Sequence, residues 1–566
     1  MPRMSLDRCV LSRRRMCAPD GLIFIRRSIR RSARNRMLRR MAMINISDRD
    51  SVIASADGTA EDKSTEPQAA VGSLMSPESS AEIGFIGGAS AGAGTVQAEL
   101  RERASIADFG AVGDGLADDT AAVTSAIAFA LDNNVRYLFV PSGVYRLTAP
   151  IVIGGSLWLD GDGVEPYEGF SPGPGPNQRG GGSWFFLDHA GKGFILQRPS
   201  VGNSASGISI SWLGTFRAHT VGAPGTTFVP TVYDYDFTVD DADALFDNVT
   251  LLNAYNGIQV LNGNAGRLTT SNLRGQPLNI GIFIDQAYDV VRITDTHFWP
   301  FWSQSEDVAK YQLNHSRAIV SARNDNPLIV NLFCIFYKIG LHVVGNGFGT
   351  TNKLKLVNAD FDRGQYGIYV EPSAVGHTGM YTNVTAQGEV GSLATFASNN
   401  SGVSVNAINC VMNFSGLDLA EHRGPSLDAN AAGIELNVAQ LQAGNWNGSG
   451  LGFGCVQAAS GAVVEISDRP KFFGGGGAAV FSGNGEISAP LRAGTSSANT
   501  DANGDVVITH NCPITPRKIF VTPSNSVGLI CTVRARGPTT FIVRLFDSAG
   551  NAWASGDAKF DWKAEY

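Results

Sequence analysis

Charge is scarce in this chain, at 17% of residues, against about 25% in an average soluble domain. Long apolar runs are missing too: nothing approaches the roughly 18 consecutive apolar residues of a membrane span. No CxxC pair occurs among the seven cysteines, Cys9, Cys17, Cys334, Cys410, Cys455, Cys512 and Cys531. An odd, scattered set excludes a zinc ribbon and a disulfide framework. It reads as small buried residues in a chain made in a reducing cytoplasm. No metal or cofactor site is expected. Acids and lysine are nearly absent from the first 40 residues, which hold 13 arginines, no lysine and only Asp7 and Asp20. Their one apolar run, "GLIFI" from Gly21 to Ile25, is too short for a secretory signal. The segment reads as an extension upstream of a start at Met41 or Met43. The rest of the chain carries a net charge of −18, so neither nucleic acid nor a membrane is expected as a partner.

Glycine, by contrast, is abundant, with 66 in 566 residues, which suits many short strands and tight turns. Residues 41–104 are rich in Ser, Ala, Gly and acids, as a flexible region and connector would be. "GTVQAELRERASI", Gly94 to Ile106, reads as a short helix leading into a strand. "SIADFGAVGDGLADDT", Ser105 to Thr120, lacks the spacing of a calcium loop. Its acids are expected to close turns and to cap a helix over Ala121–Asn134, with Asp119 or Thr120 at the N-cap. That helix covers the open end of whatever stack of strands follows.

Between Phe246 and Val464 a pattern repeats. Glycine followed by a branched apolar residue occurs at Gly257, Gly281, Gly340, Gly367, Gly402 and Gly433, with "AIVSA" at Ala318 in the long gap. The resulting intervals are 24, 37, 22, 27, 35 and 31 residues. Units of this length built only from strands and turns predict a β-solenoid, one rung per repeat. An Asn or Asp at a fixed place in each unit predicts a stacked ladder at a tight turn. From about residue 488 the alternation changes to that of a small antiparallel β domain.

These residues resemble a known family. "DFGAVGDGLADDTAAVTSAI", "FVPSGVYRL" and "LDGDG" are similar to the opening signature of the pectate-lyase-like right-handed parallel β-helix superfamily. "TVQAELRERASI" resembles the connector that precedes the β-helix in phage and prophage tailspikes, and the C-terminal segment resembles the β domains that end such spikes. The resemblance implies an all-β fold: a right-handed parallel β-helix over 105–487 with an N-terminal capping helix, and a C-terminal antiparallel β domain over 488–566 for trimerisation or glycan binding. It further implies a homotrimer, a polysaccharide substrate, and a place in the virion tail, attached to tail or baseplate through the N-terminal region. The superfamily holds hydrolases, lyases, epimerases and pure binders, so the fold alone does not choose among them. The GHG and RIK motifs of its polygalacturonases are missing here.

Stacked rungs lie about 4.8 Å apart, so acids on one strand or on nearby rungs reach the separations that glycoside hydrolysis needs. Aligning Phe298 with Phe361 places Asp295, His297, Asp360 and Asp362 on one face. Asp360 and Asp362 alternate on a strand and point the same way. They are the first candidates for an acid/base pair, with Glu371, Asp295 and His297 as further catalytic candidates. The segment "HFWPFWSQSED", His297 to Asp307, interrupts the repeat. Its Trp299, Trp302, Glu306 and Asp307 suit substrate binding, since aromatic faces stack on sugar rings and carboxylates bind hydroxyls. Phe298, Trp299, Phe301 and Trp302 equally suit contact with a neighbouring subunit. The expected activity is polysaccharide depolymerisation by hydrolysis. A glycan-binding adhesin and a lyase or epimerase are the alternatives.

Overall fold

The computed structural model describes residues 84–86, 93–95 and 102–566, apart from 165–180, 199–206, 262–266, 289, 394–399, 475–479, 511, 513–514, 525–528 and 555. The Arg-rich segment, most of the connector and the helix expected in it lie outside the described residues. Two small strands, Gly84–Ile86 and Ala93–Thr95, pair antiparallel.

From Arg103 onward the chain winds as a right-handed parallel β-helix, the hand that parallel crossovers take. Two parallel sheets run its length, a short sheet of twelve strands and a long sheet of twenty among the described residues. Inward positions carry Leu, Ile, Val, Phe and Ala, which form one continuous core. Outward positions alternate with them, as the period of two along each strand requires.

The long sheet turns a corner through residues in the left-handed region. Asn272, Asp295, Asn331, Asn358 and Asn383 all have φ between 52° and 56°. Asn and Asp tolerate this conformation best among non-glycine residues. Their side chains also bond from rung to rung. Asn383 donates to Asn358 at 3.1 Å, Asn358 to Asn331 at 3.1 Å, and Asn331 to the Asp295 carboxylate at 2.8 Å. The expected ladder is present.

The glycine repeat has a steric cause. Gly257, Gly281, Ala318, Gly340, Gly367 and Gly402 stand in one register of the short sheet. Opposite them the long sheet stacks Phe298, Cys334, Phe361 and Ala386. A Cβ on Gly340 would meet the Phe361 ring at 2.1 Å, and one on Gly281 would meet Phe298 at 2.5 Å. Gly433 does not belong to this column. It is a turn residue at φ 70° whose N–H donates to Gly461 at 2.7 Å. Phe298 is also fully enclosed, so it offers nothing to a neighbouring subunit.

The helix α1, Thr120–Asp132, buries Val123, Ala126, Ile127 and Ala130 against the first rung. The acids before it are structural. Asp108 accepts from the Ser105 N–H at 2.9 Å, and Asp114 from Leu116 and Ala117, both at 2.8 Å. Asp119 stands at the N-cap, but its buried carboxylate turns back to Val112 and Gly113 at 2.6 and 3.2 Å. The Thr120 N–H is met by Asp118 instead, at 3.0 Å. Hydrogen bonds from the Thr120 and Thr148 hydroxyls hold the Asp118 carboxyl down at about 2. At the far end, two three-stranded antiparallel sheets between Pro490 and Glu565 close the chain. Tyr566 packs on Phe481 of the last rung, ring centroids 4.4 Å apart.

Longer insertions leave the stack between the long and short sheets. Residues 217–234 form one, tied down by an Arg217–Asp236 pair with no exposure, at 2.8 Å. Arg217 also donates to the His189 and Gly191 carbonyls, and Thr215 donates to Asp236 at 2.7 Å. Residues 299–316 form the next and include the helix α2, Glu306–His315.

The glycine column yields a direct test. Gly340→Ala should cost about 1–3 kcal/mol through overpacking, read as a lower Tm in thermal denaturation. Gly347→Ala, where a Cβ would meet nothing within 4 Å, should leave Tm unchanged.

Candidate functional site

The outer face of the long sheet carries a continuous column of side chains in register: His297, Phe333, Asp360, Thr385 and Asp418. Asp360 and Asp362 lie on the strand Leu354–Gly364, separated by the inward Phe361. Their carboxyls face the same side. Each titrates above the usual carboxylate range. Loss of hydration is the main cause for both, with the Asp362 charge adding to it at Asp360. Their surroundings differ. The Arg363 guanidinium lies beside Asp362 and favours its charge. Arg363 itself is held by the buried Glu389 carboxylate at 2.6 Å and lies 4.9 Å over the Phe336 ring. Among the described residues no cation contributes at Asp360.

His297 sits two rungs from Asp360, with Phe333 between them. Its ring meets Phe301 at 5.3 Å, Phe333 at 5.1 Å and Trp299 at 6.1 Å. Burial, together with the Arg274 charge, lowers its pKa. The result is a mixed aromatic surface one rung above the carboxylates.

Other expected site residues fall elsewhere. Asp295 is a member of the corner ladder, its carboxylate engaged by Asn331, and the structure does not bring it into the Asp360 column. Trp302 is half-buried, packed on His219 at 5.7 Å and Phe228 at 6.0 Å, so part of it serves as a wall of the corner. Glu306 is exposed and pairs with Lys310 one helical turn on, at 3.6 Å. Asp307 accepts from the Gly225 N–H at 2.8 Å and thereby joins the two insertions. Between them lies a cavity of about 600 Å³ lined by Phe228, Asp307, Lys310, Tyr311, Asn314 and His315. Glu371 lies at the end of a short-sheet strand, apart from Asp360 and Asp362.

A second cluster surrounds Glu371. His342, Tyr369, Ser404 and Asp428 occupy successive outward positions of the short sheet in one register. Burial pushes the Asp428 carboxyl up to about 6. Burial, with Arg317 and Lys338 nearby, takes His342 down to about 4, so it is neutral at pH 7. The sequence reading missed this cluster, although the signal was there. Each member stands two positions after a residue of the small-residue column: Gly340, Gly367, Gly402 and then Ser426. Among the described residues, no three His, Cys, Asp or Glu side chains gather in a way that could hold a metal ion.

The class defined by these observations is a parallel β-helix with side-chain columns on its faces and insertions at one corner. Its opening matches a family model: residues 104–169 match "Rhamnogalacturonase A/epimerase, pectate lyase-like". Among solved structures, the chain is similar to the tailspike protein gp49 from Pseudomonas phage LKA1, at 12% identity and a TM-score of 0.42, covering 82% of this chain and 99% of that one. It is also similar to a tailspike mutant of E. coli bacteriophage HK620 in complex with a pentasaccharide, at 10% identity and a TM-score of 0.40, covering 88% and 100%. A third is ORF18 of Geobacillus virus E2, at 11% identity and a TM-score of 0.36, covering 82% and 77%. No curated protein matches the chain.

Asp428 has a consequence for stability. Its folded pKa of about 6 exceeds the roughly 3.9 of an unfolded aspartate. Between those values the folded chain holds more protons than the unfolded one, so this group costs stability as pH rises through the window. The full cost is about 3 kcal/mol at most. Asp428→Asn should therefore raise Tm at pH 7 to 8, and the gain should vanish below about pH 4. Thermal melts of both proteins across that range check it.

Proposed function

We propose that this chain is a tailspike-like depolymerase that binds and cleaves a bacterial surface polysaccharide by glycoside hydrolysis. The observation that supports the reading is the pair Asp360 and Asp362, two partly desolvated carboxyls on one face of one strand, beside an aromatic surface. Asp360, with no cation at hand, keeps its proton more readily and serves as general acid. Asp362, with Arg363 beside it, serves as the carboxylate base. Environments that differ in this way divide the two roles. Two residues along a strand span about 6.6 Å, which leaves room for a water and so favours inversion. His297, Trp299, Phe301 and Phe333 hold a sugar ring by stacking.

The lyase alternative would draw on Lys310 and Tyr311 in the corner cavity. Burial pushes the Tyr311 phenol well up, which opposes its use as a base near neutral pH. The chain is further read as a homotrimer in a virion tail, attached through residues 41–104. Val507, Phe520 and Ile530 on the C-terminal sheets are more than half exposed, as residues buried between subunits would be in one chain alone.

Purified protein is to be incubated with host surface polysaccharides. New reducing ends without ultraviolet absorbance mark hydrolysis, whereas absorbance from an unsaturated uronate marks lyase action. Neither, with binding retained, marks an adhesin. Asp360→Asn and Asp362→Asn should each lower the rate about 10²–10⁴-fold with binding intact. Activity within a few-fold of wild type in both would remove them from the mechanism.

Assembly is tested separately. Light scattering should give about three times the single-chain mass, and a value near 59.9 kDa would refute the trimer.

A further inference from the structure

The short sheet is covered by neither α1 nor the corner core along its later rungs, yet several of its outward polar side chains are withdrawn from water. His342 is 7%, Ser404 4% and Asp428 8% exposed. Outward residues on a solenoid are ordinarily wet, and a buried carboxyl ordinarily has a hydrogen-bond partner. Among the described residues, Asp428 Oδ1 and His342 Nδ1 are enclosed without one, and His342 Nε2 has the Glu371 carboxylate only at 3.6 Å. Leaving such groups unmet costs folding free energy. The two groups stand three rungs apart on one face, and a cost carried at both ends of that stretch points to an extended ligand.

The geometry of the face states what kind of ligand. His342, Tyr369, Ser404 and Asp428 succeed one another along the solenoid axis, about 4.8 Å per step. The first and last are thus about 14 Å apart, too far to share a metal ion or a single small molecule. Gln457 continues the column beyond Asp428. The rings of Tyr366 and Tyr369 stand 4.9 Å apart at 54°, and His342 meets Tyr369 at 5.5 Å. Glu371 places its carboxylate 3.6 Å from His342 Nε2. A row of aromatic faces edged by a carboxyl, a hydroxyl and a second carboxylate suits a run of sugar units. Their apolar faces stack on the rings, and their hydroxyls donate to the exposed Glu371 carboxylate and to the accessible edge of Asp428. Arg317 and Lys338 stand near the His342 end, whereas among the described residues no cation acts on Asp428, which favours neutral sugars over uronates at that end.

We propose that the outer face of the short sheet is a second glycan site, binding several neutral sugar units along the solenoid axis from Glu371 and His342 through Tyr369 to Asp428. It rests on the reading of the chain as a polysaccharide-handling protein, and it is distinct from the Asp360–Asp362 groove on the long sheet. Asp428 and Glu371 accept from sugar hydroxyls, Tyr366 and Tyr369 stack, and His342 positions Glu371.

The test uses the full chain and an array of bacterial O-antigen and capsular oligosaccharides, with calorimetry on those retained. Asp428→Asn and Tyr369→Ala should each weaken binding at least tenfold, while Asp360→Asn binds as wild type does. Asp428→Asn should do so while melting no lower than wild type at pH 7, an outcome that a structural role alone does not produce. Wild-type affinity in both short-sheet variants would overturn the second site and leave the depolymerase reading standing. No retention of any oligosaccharide by the wild-type protein would overturn both.

Discussion

Parallel register between rungs is the constraint from which the rest follows. Each strand finds its backbone partners only in the rungs before and after it, so nearly every inward residue stacks on an equivalent one. That is why one continuous core runs from Ile106 to the last rung. It is also why small residues recur opposite Phe298 and Phe361: two sheets can approach so closely only if one of the facing columns has no side chain to spare. The ends of such a stack are unpaired edges. The α1 helix meets the first, and the C-terminal antiparallel sheets with Tyr566 meet the last.

The same register confines variation to the corner. Intervals along the glycine column differ from 22 to 37 residues while the strands stay in phase. The extra residues of 299–316 therefore lie outside the ladder, as those of 217–234 do on an earlier rung, where they disturb no backbone pairing. They still need anchors. The enclosed Arg217–Asp236 pair anchors one insertion, satisfied on all sides by Thr215 and by the His189 and Gly191 carbonyls. Removing either partner would strand the other charge, a far larger loss than the pair gains over an apolar substitute. Asp307 ties the second insertion to the first through Gly225.

The fold was legible because its signals are local and repeated: a capped helix after a Gly-Asp-rich run, and a small residue before each branched one. Gly433 imitated that signal for another reason, being the left-handed member of a turn. The alternation of Asp360 and Asp362 was legible for the same reason as the strands. Asp295 was misread because an acid in a corner ladder and an acid on an open face look alike until register assigns one of them a partner, Asn331. Trp302 was misread because an insertion long enough to hold a helix builds its own small core, around Phe228 and Val308. Asp428 was missed because "LDA" is too short to show a period, and only alignment on the preceding rungs reveals it as the successor of His342, Tyr369 and Ser404.

Side chains borne on a parallel stack have little freedom to adjust. The Asp360 and Asp428 backbones are each fixed by rungs on both sides, so the position of each carboxyl is set before any ligand arrives. Such preorganisation removes an ordering cost that loop-borne groups would meet on binding. It also means that an unmet polar atom cannot relax toward water, and the cost stays in the free protein. The long sheet avoids much of it by leaving Asp360 open to solvent on its outer face. The short sheet does not: among the described residues Asp428 Oδ1 and His342 Nδ1 stay enclosed without a hydrogen bond. The continuous core that runs behind both sheets is what offsets that cost and holds the outward side chains in place.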